Sequence, residues 1–323
     1  MSGTAGPWPS RTEAQQVHTV GRLISKLSAA WLMVLATLLF AGMGVCVKKA
    51  SAEVTTAEVV FFRGLVGAVM MGLLAWWQGL NLQTKVPSLH FLRGLAGVSA
   101  LSLWFYTIGK LPLSTAVTLN YMSSVWMAVF LVLRQLWRRS QGRPSKRIPP
   151  PLLAAVALGF VGVALVLRPT IQRDQWLEGG IGILSGMLSA WAYLQVASLG
   201  RAGEPEHRVV FYFSLFGTVA GLLISLAARL SGHVAWTAPS PTGWLWLLGI
   251  GGFATLAQLA MTRAYTQGQA LVMASLQYLG IAHAFVLGVL LFKDPINPLS
   301  ILGMGLIVAA GIGATRTSNA VRD

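Results

Sequence analysis

Ten apolar stretches of about 17 to 25 residues, the length that crosses bilayer hydrocarbon as a helix, follow one another along a chain of 323 residues. They are centred on Leu38, Ala68, Ala100, Ser123, Gly159, Ser189, Val219, Gly252, Ile281 and Ile307. Inside lipid each backbone N–H and C=O must find a partner within the protein, so blocks of this length read as helices. The charge content agrees, since 10% of residues are charged against roughly 25% in a soluble domain. The expectation is an all-α integral membrane protein with ten transmembrane helices, a polar N-terminal tail (1–28) and a short C-terminal tail (316–323).

The net charge of +15 raises nucleic acid as a partner. The bases, however, sit between apolar blocks and not on one amphipathic face with interleaved aromatics, so membrane lipids are the expected contact and nucleic acid is not. The densest run, Arg134, Arg138, Arg139, Arg143, Lys146 and Arg147, reads as a cytoplasmic basic loop over 134–150. Placing the N-terminus inside puts sixteen Lys and Arg on the cytoplasmic side, Arg93 and the basic loop among them, and seven outside. Both termini are therefore expected to be cytoplasmic, in an inner-membrane, multi-pass arrangement. Cys46 is the single thiol, so neither an intramolecular disulfide nor a cysteine metal site is expected, and no cofactor is implied.

The chain repeats itself. "VVFFRGLVGAVMMGLL" (59–74) aligns with "VVFYFSLFGTVAGLLI" (209–224) at an offset of 150, "LNYM" (119–122) meets "LQYL" (276–279), and Tyr106 meets Tyr265. The repeats are expected over 29–168 and 179–315, five helices each. An odd number makes the second copy enter the membrane upside down, the organisation of many secondary transporters, whose site lies near the midplane where the halves meet.

"FFRGLVGA", "WFYTIGKLPLSTAVTLNYMSSVW", "GFVGVALVLRP", "AYTQGQALVMASLQYLG" and "ILGMGLIVAAGI" together resemble the EamA family of the drug/metabolite transporter superfamily, over about residues 29 to 315. The resemblance implies ten helices in two inverted five-helix repeats that move small metabolites by alternating access. The stretch through "LNYMS" is similar to members proposed to carry riboflavin or S-adenosylmethionine. One departure is plain. Family members often end helices four and nine with Glu, whereas here the first copy reads "VLRQLW" and the second "LFKDP", with Asp294.

Eight residues are expected to bind substrate. Asn120 and Tyr121 stand where unpaired polar groups cost most, and Gln277 and Tyr278 answer them in the second repeat. Val117, Asn120, Tyr121 and Ser124 form one helical stripe; Ala274, Gln277, Tyr278 and Ile281 form its counterpart. Facing inward, these groups can bind a ligand, or join helices at about 1 kcal/mol per hydrogen bond. Helix joining alone leaves the repeated amide–tyrosine pairing unexplained. Arg63 lies within span two, where a charge is functional by default unless it snorkels to the interface. His283 could titrate near neutrality or be a satisfied intramembrane histidine. Trp104, with Tyr106, Trp126, Trp191 and Tyr193 nearby, offers aromatic area for stacking or cation-π contact, although aromatics at helix ends also mark the lipid interface.

No HExxH motif and no carboxylate pair within a helix is present, and no nucleophile stands beside a base, so an enzyme is not expected. The expected function is secondary transport of a small organic metabolite, with a non-transporting scaffold or receptor as the alternative.

Overall fold

The computed structural model describes residues 28–108, 110–111, 113–144, 148–168, 175–231, 238–293 and 296–320. Twelve helices account for nearly all of them: α1 (Ala29–Ala50), α2 (Thr56–Gln78), α3 (Pro87–Ile108), α4 (Leu113–Tyr121), α5 (Ser123–Ser140), α6 (Pro150–Leu167), α7 (Trp176–Arg201), α8 (Glu206–Leu230), α9 (Pro241–Gln267), α10 (Ala270–Gln277), α11 (Leu279–Phe292) and α12 (Pro298–Ala320). No strand occurs among the described residues. α4 with α5, and α10 with α11, each form one crossing interrupted at a single residue, Met122 or Tyr278. Nine crossings among the described residues are long and apolar enough to span a membrane. The remaining one, α3, has 22 residues and packs along α7.

Local chemistry sets the ends. At α2 the Thr55 side chain accepts from the Glu58 backbone while Glu58 Oε2 accepts from the Thr55 N–H at 2.6 Å, a reciprocal capping box. The helix stops at Gly79, whose φ of 63° is a left-handed value that a side chain disfavours. Ser240 caps α9, and Pro241 follows it at a position where a missing N–H costs nothing.

Helix pairing shows the internal symmetry. α1 packs along α9, and its counterpart α7 packs along α3; α2 packs along its own counterpart α8, and α6 along α12. This exchange is that of two inverted five-span halves. Small residues permit the close approaches, because lipid supplies no hydrophobic drive between helices and packing must hold them. A Cβ on Gly221 would stand 2.5 Å from the Phe61 nitrogen, and one on Gly162 would stand 2.6 Å from the Gly303 carbonyl oxygen.

Two boundaries differ from the sequence expectation. The helix preceding the basic loop continues to Ser140, so Arg134, Arg138 and Arg139 are helical, and of the described bases in that run only Arg143 lies past the helix. Cations in a last turn oppose the negative end of the helix dipole, which lets the helix outrun the apolar block. Arg93, counted as a loop cation, lies inside α3 and is 4% exposed. Residues 1–27, Lys146, Arg147, Asp294 and 321–323 lie outside the described residues.

Candidate functional site

The amide–tyrosine pairs flank the two helix interruptions. Tyr121 and Tyr278 stack with ring centroids 6.3 Å apart, closer than the ~15 Å span of a ligand pocket. Tyr278 is fully buried with Val163, Ile281 and Ile307, its ring filling the space that a Cβ on Gly159 would occupy. Asn120 Nδ2 donates to Ser185 Oγ at 3.4 Å and Ser189 Oγ at 3.5 Å, linking α4 to α7. Ser124 Oγ donates to the Ala274 carbonyl at 2.9 Å, linking α5 to α10. His283 Nδ1 and Thr37 Oγ1 share a hydrogen bond of 3.3 Å, linking α11 to α1. Trp104 is half-buried on α3, two residues before the exposed Tyr106. Tyr121, Tyr278, Asn120, Ser124 and His283 therefore stand at helix–helix seams between one half and the other.

Gln277 belongs to a different cluster. Its Oε1 accepts from the Tyr265 hydroxyl at 3.1 Å, and the Tyr265 ring lies parallel to that of Tyr193, 5.6 Å away with a 6° interplanar angle. Two turns from Tyr193 towards the chain's basic-loop face, a Cβ on Gly200 would run into the Thr266 side chain. α7 and α9 are thus closed on one another at that face. Tyr265 is 1% exposed, whereas Tyr106, its repeat partner at the opposite face, is 44% exposed, and the counterpart helices α1 and α3 do not pack as a pair among the described residues.

A polar cluster ties the same basic-loop face. Glu204, between α7 and α8, accepts from His90 Nε2 at 2.9 Å, Thr84 Oγ1 at 3.0 Å and Arg208 Nη1 at 3.1 Å. Burial pushes the Glu204 carboxyl up, but those three hydrogen bonds and the Arg208 charge outweigh it and hold the group below its ordinary value. At the opposite face Glu53 accepts from the Ser240 N–H and hydroxyl, both at 2.9 Å, and these bonds lower its carboxyl too.

Arg63 is half-buried on α2, about 10 Å along the helix from its start at Thr56. With Gly64, Phe213, Ser214, Thr255 and Gln258 it lines a recess between α2, α8 and α9 that has room for about one water molecule. Arg93 enters the same region from α3. Its guanidinium carbon stands 3.9 Å from the Phe213 ring centroid, and that of Arg63 stands 5.6 Å from it. Arg93 was missed because six residues after Pro87 a charge reads as part of a loop. The signal that could have found it is Gly97, four residues on, which leaves room for that guanidinium: a Cβ there would collide with Arg93 Nη1. No group of three or more His, Cys, Asp or Glu able to hold a metal occurs among the described residues.

Comparison with known proteins bears on what such an arrangement serves. The family model described as the EamA-like transporter family matches residues 27–168 and again 177–315. A Pseudomonas aeruginosa protein named a pseudopaline exporter is 29% identical over 290 residues, covering 90% of this chain and 96% of its own. A Brucella anthropi riboflavin transporter is 24% identical over 87% of this chain and 95% of its own. A solved crystal structure superposes with a TM-score of 0.75 over 91% of this chain and 99% of that one at 16% identity, a likeness of fold alone. The doubled family match, over helices that pair as two inverted halves, shows that the chain belongs to the EamA-like transporter family and is a multi-pass membrane transporter, not an enzyme.

Proposed function

We propose that the protein is a secondary transporter that moves a small organic metabolite across the cytoplasmic membrane by alternating access, with both termini cytoplasmic and its site near the midplane between the two repeats. The observation that carries this reading is the unequal treatment of equivalent residues. Tyr265 is buried in a stack with Tyr193 while Tyr106 is exposed. Two halves of one pattern that hold equivalent seams differently have, within the same fold, a second conformation in which the closed seam opens and the open one closes. In the described state the basic-loop face is closed by Tyr193, Tyr265, Gln277 and the Glu204 cluster.

The relatives' names, which include an exporter and a riboflavin transporter, support a small organic cargo. In this reading Asn120, Tyr121, Ser124, Tyr278 and His283 form the seam that slides as the halves rock, with the ligand held where Arg63 and Gln277 face the interior and Trp104 adding aromatic surface. The test is flux of labelled metabolites into proteoliposomes containing the purified protein. Saturable uptake, with faster exchange when unlabelled substrate is loaded inside, is the expected result. Ligand binding without any flux would instead assign the chain to the receptor class.

A further inference from the structure

Arg93 and Arg63 are unusual in what surrounds them. Arg93 is 4% exposed, and its Nε and Nη1 atoms are buried without a hydrogen-bond partner. Among the described residues neither arginine forms an ion pair; Glu204 is engaged by His90 and Arg208, Glu58 by Thr55, Glu206 by Arg263 and Glu53 by Ser240. Both guanidinium groups face one ring, Phe213, so the two positive carbons are no farther apart than their two ring distances added together. Cation-π contact with a phenyl ring offsets part of the desolvation of one cation. It does not neutralise two like charges brought together inside a membrane, where an intramembrane charge is ordinarily paired.

We infer that Arg63 and Arg93 form the anchoring site for an anionic group of the transported molecule, so that the cargo is a small organic anion bearing a carboxylate. The inference rests on the transport reading above and goes beyond it in naming the chemical class. Arg63, Ser214 and Gln258 around the recess supply hydrogen-bond donors to a carboxylate's oxygens, the Thr255 hydroxyl being engaged by the Gly251 carbonyl, and a guanidinium presents its N–H groups in the planar fork that a carboxylate matches. The recess holds about one water molecule, less than a carboxylate, so the anionic end and the remainder of the cargo both enter as the halves part and the recess widens. Gly97 belongs to the same device, because its lack of a side chain lets the Arg93 guanidinium lie against Phe213.

The test uses the full chain in nanodiscs of zwitterionic lipid, with acetate, 2-oxoglutarate and citrate as probes, each set against its neutral amide at matched ionic strength. A single cysteine at Ser214, in a Cys46→Ser background, reports occupancy through its rate of reaction with a small water-soluble thiol reagent. Carboxylates should slow labelling while the amides do not. Arg93→Gln and Arg63→Gln should each raise the half-protecting concentration about tenfold or more, the scale of a lost charged hydrogen bond, and Arg93→Lys should raise it less. Gly97→Ala, which keeps both charges, should weaken protection by displacing the Arg93 guanidinium. Equal effects of acid and amide would overturn the inference, as would protection that survives both Arg→Gln substitutions. Protection by added anionic lipid alone would overturn it too, in favour of a headgroup site. Flux of a neutral or cationic metabolite that Arg63→Gln and Arg93→Gln leave unchanged would remove the anion and keep transport; carboxylate protection without flux would keep the site and remove transport.

Discussion

Tyr265→Phe removes one hydroxyl from the closed seam and leaves the ring. In the described conformation that hydroxyl donates to Gln277 Oε1 at 3.1 Å, and the ring lies parallel to Tyr193 at 5.6 Å. The stack survives the substitution, so the loss is one neutral hydrogen bond within the membrane, about 0.6 to 1.5 kcal/mol. The bond joins α9 to α10 beneath the contact of α9 with α7, and the whole loss falls on the conformation in which the basic-loop face is closed. A difference of about 1 kcal/mol changes a two-state population ratio about fivefold. Two single cysteines in a Cys46→Ser background read the change. Thr266→Cys sits against Gly200 in the closed seam, and Tyr106→Cys sits at the exposed opposite face. Thr266 is partly exposed in the described conformation and more so where the seam opens, so the Thr266→Cys rate should rise with the minor state's population, by up to about fivefold. The Tyr106→Cys rate should fall slightly, because Tyr106 is already exposed in the described conformation. Unchanged Thr266→Cys labelling would refute the role given to the hydroxyl. A rise at both positions together would show general loosening and refute the exchange of one closed face for the other.

Glu204→Gln should lower stability at neutral pH by about 3 kcal/mol, the scale of a buried pair losing one partner, as read by the melting temperature of the purified protein. Because the folded carboxyl is held below its ordinary value, its contribution is complete above the ordinary carboxylate range and is lost as pH falls through the depressed value; the acid side of the wild-type stability profile should therefore flatten in the variant. Gly162→Ala pushes a methyl group to 2.6 Å from the Gly303 carbonyl oxygen and should cost about 1 to 3 kcal/mol, whereas Gly313→Ala, with nothing within 4 Å, should be neutral or slightly stabilising; equal effects would mean that α6 and α12 do not meet as described. Asn120→Ala gives up two long bonds of 3.4 and 3.5 Å, so yield and melting temperature should hold while transport falls, and normal transport would leave Asn120 with helix joining alone. An extracytoplasmic phosphatase fused to the C-terminus should be inactive, and full activity would invert the topology.

The span pattern was legible in the sequence because lipid enforces it: uninterrupted apolar blocks must satisfy their own backbone, and their number and duplication survive without any knowledge of packing. The inverted relation followed from five spans per copy, and the alignment of "LNYM" with "LQYL" paired the two segments, but that each segment is interrupted, at Met122 and at Tyr278, was not legible in it. Helix ends were less legible, since Arg134, Arg138 and Arg139 are charged and nonetheless helical; hydropathy registers the bilayer and not the hydrogen bonds that carry a helix beyond it. Two things were decided only by the tertiary structure. Arg93 became an intramembrane charge when α3 laid it against Phe213 of α8, a contact between residues 120 positions apart that no local pattern encodes. The difference between Tyr106 and Tyr265 is likewise invisible in the sequence. The two tyrosines occupy the same place in a repeated pattern, and how deeply each is buried depends on which helices from distant parts of the chain pack over it, which no local pattern encodes.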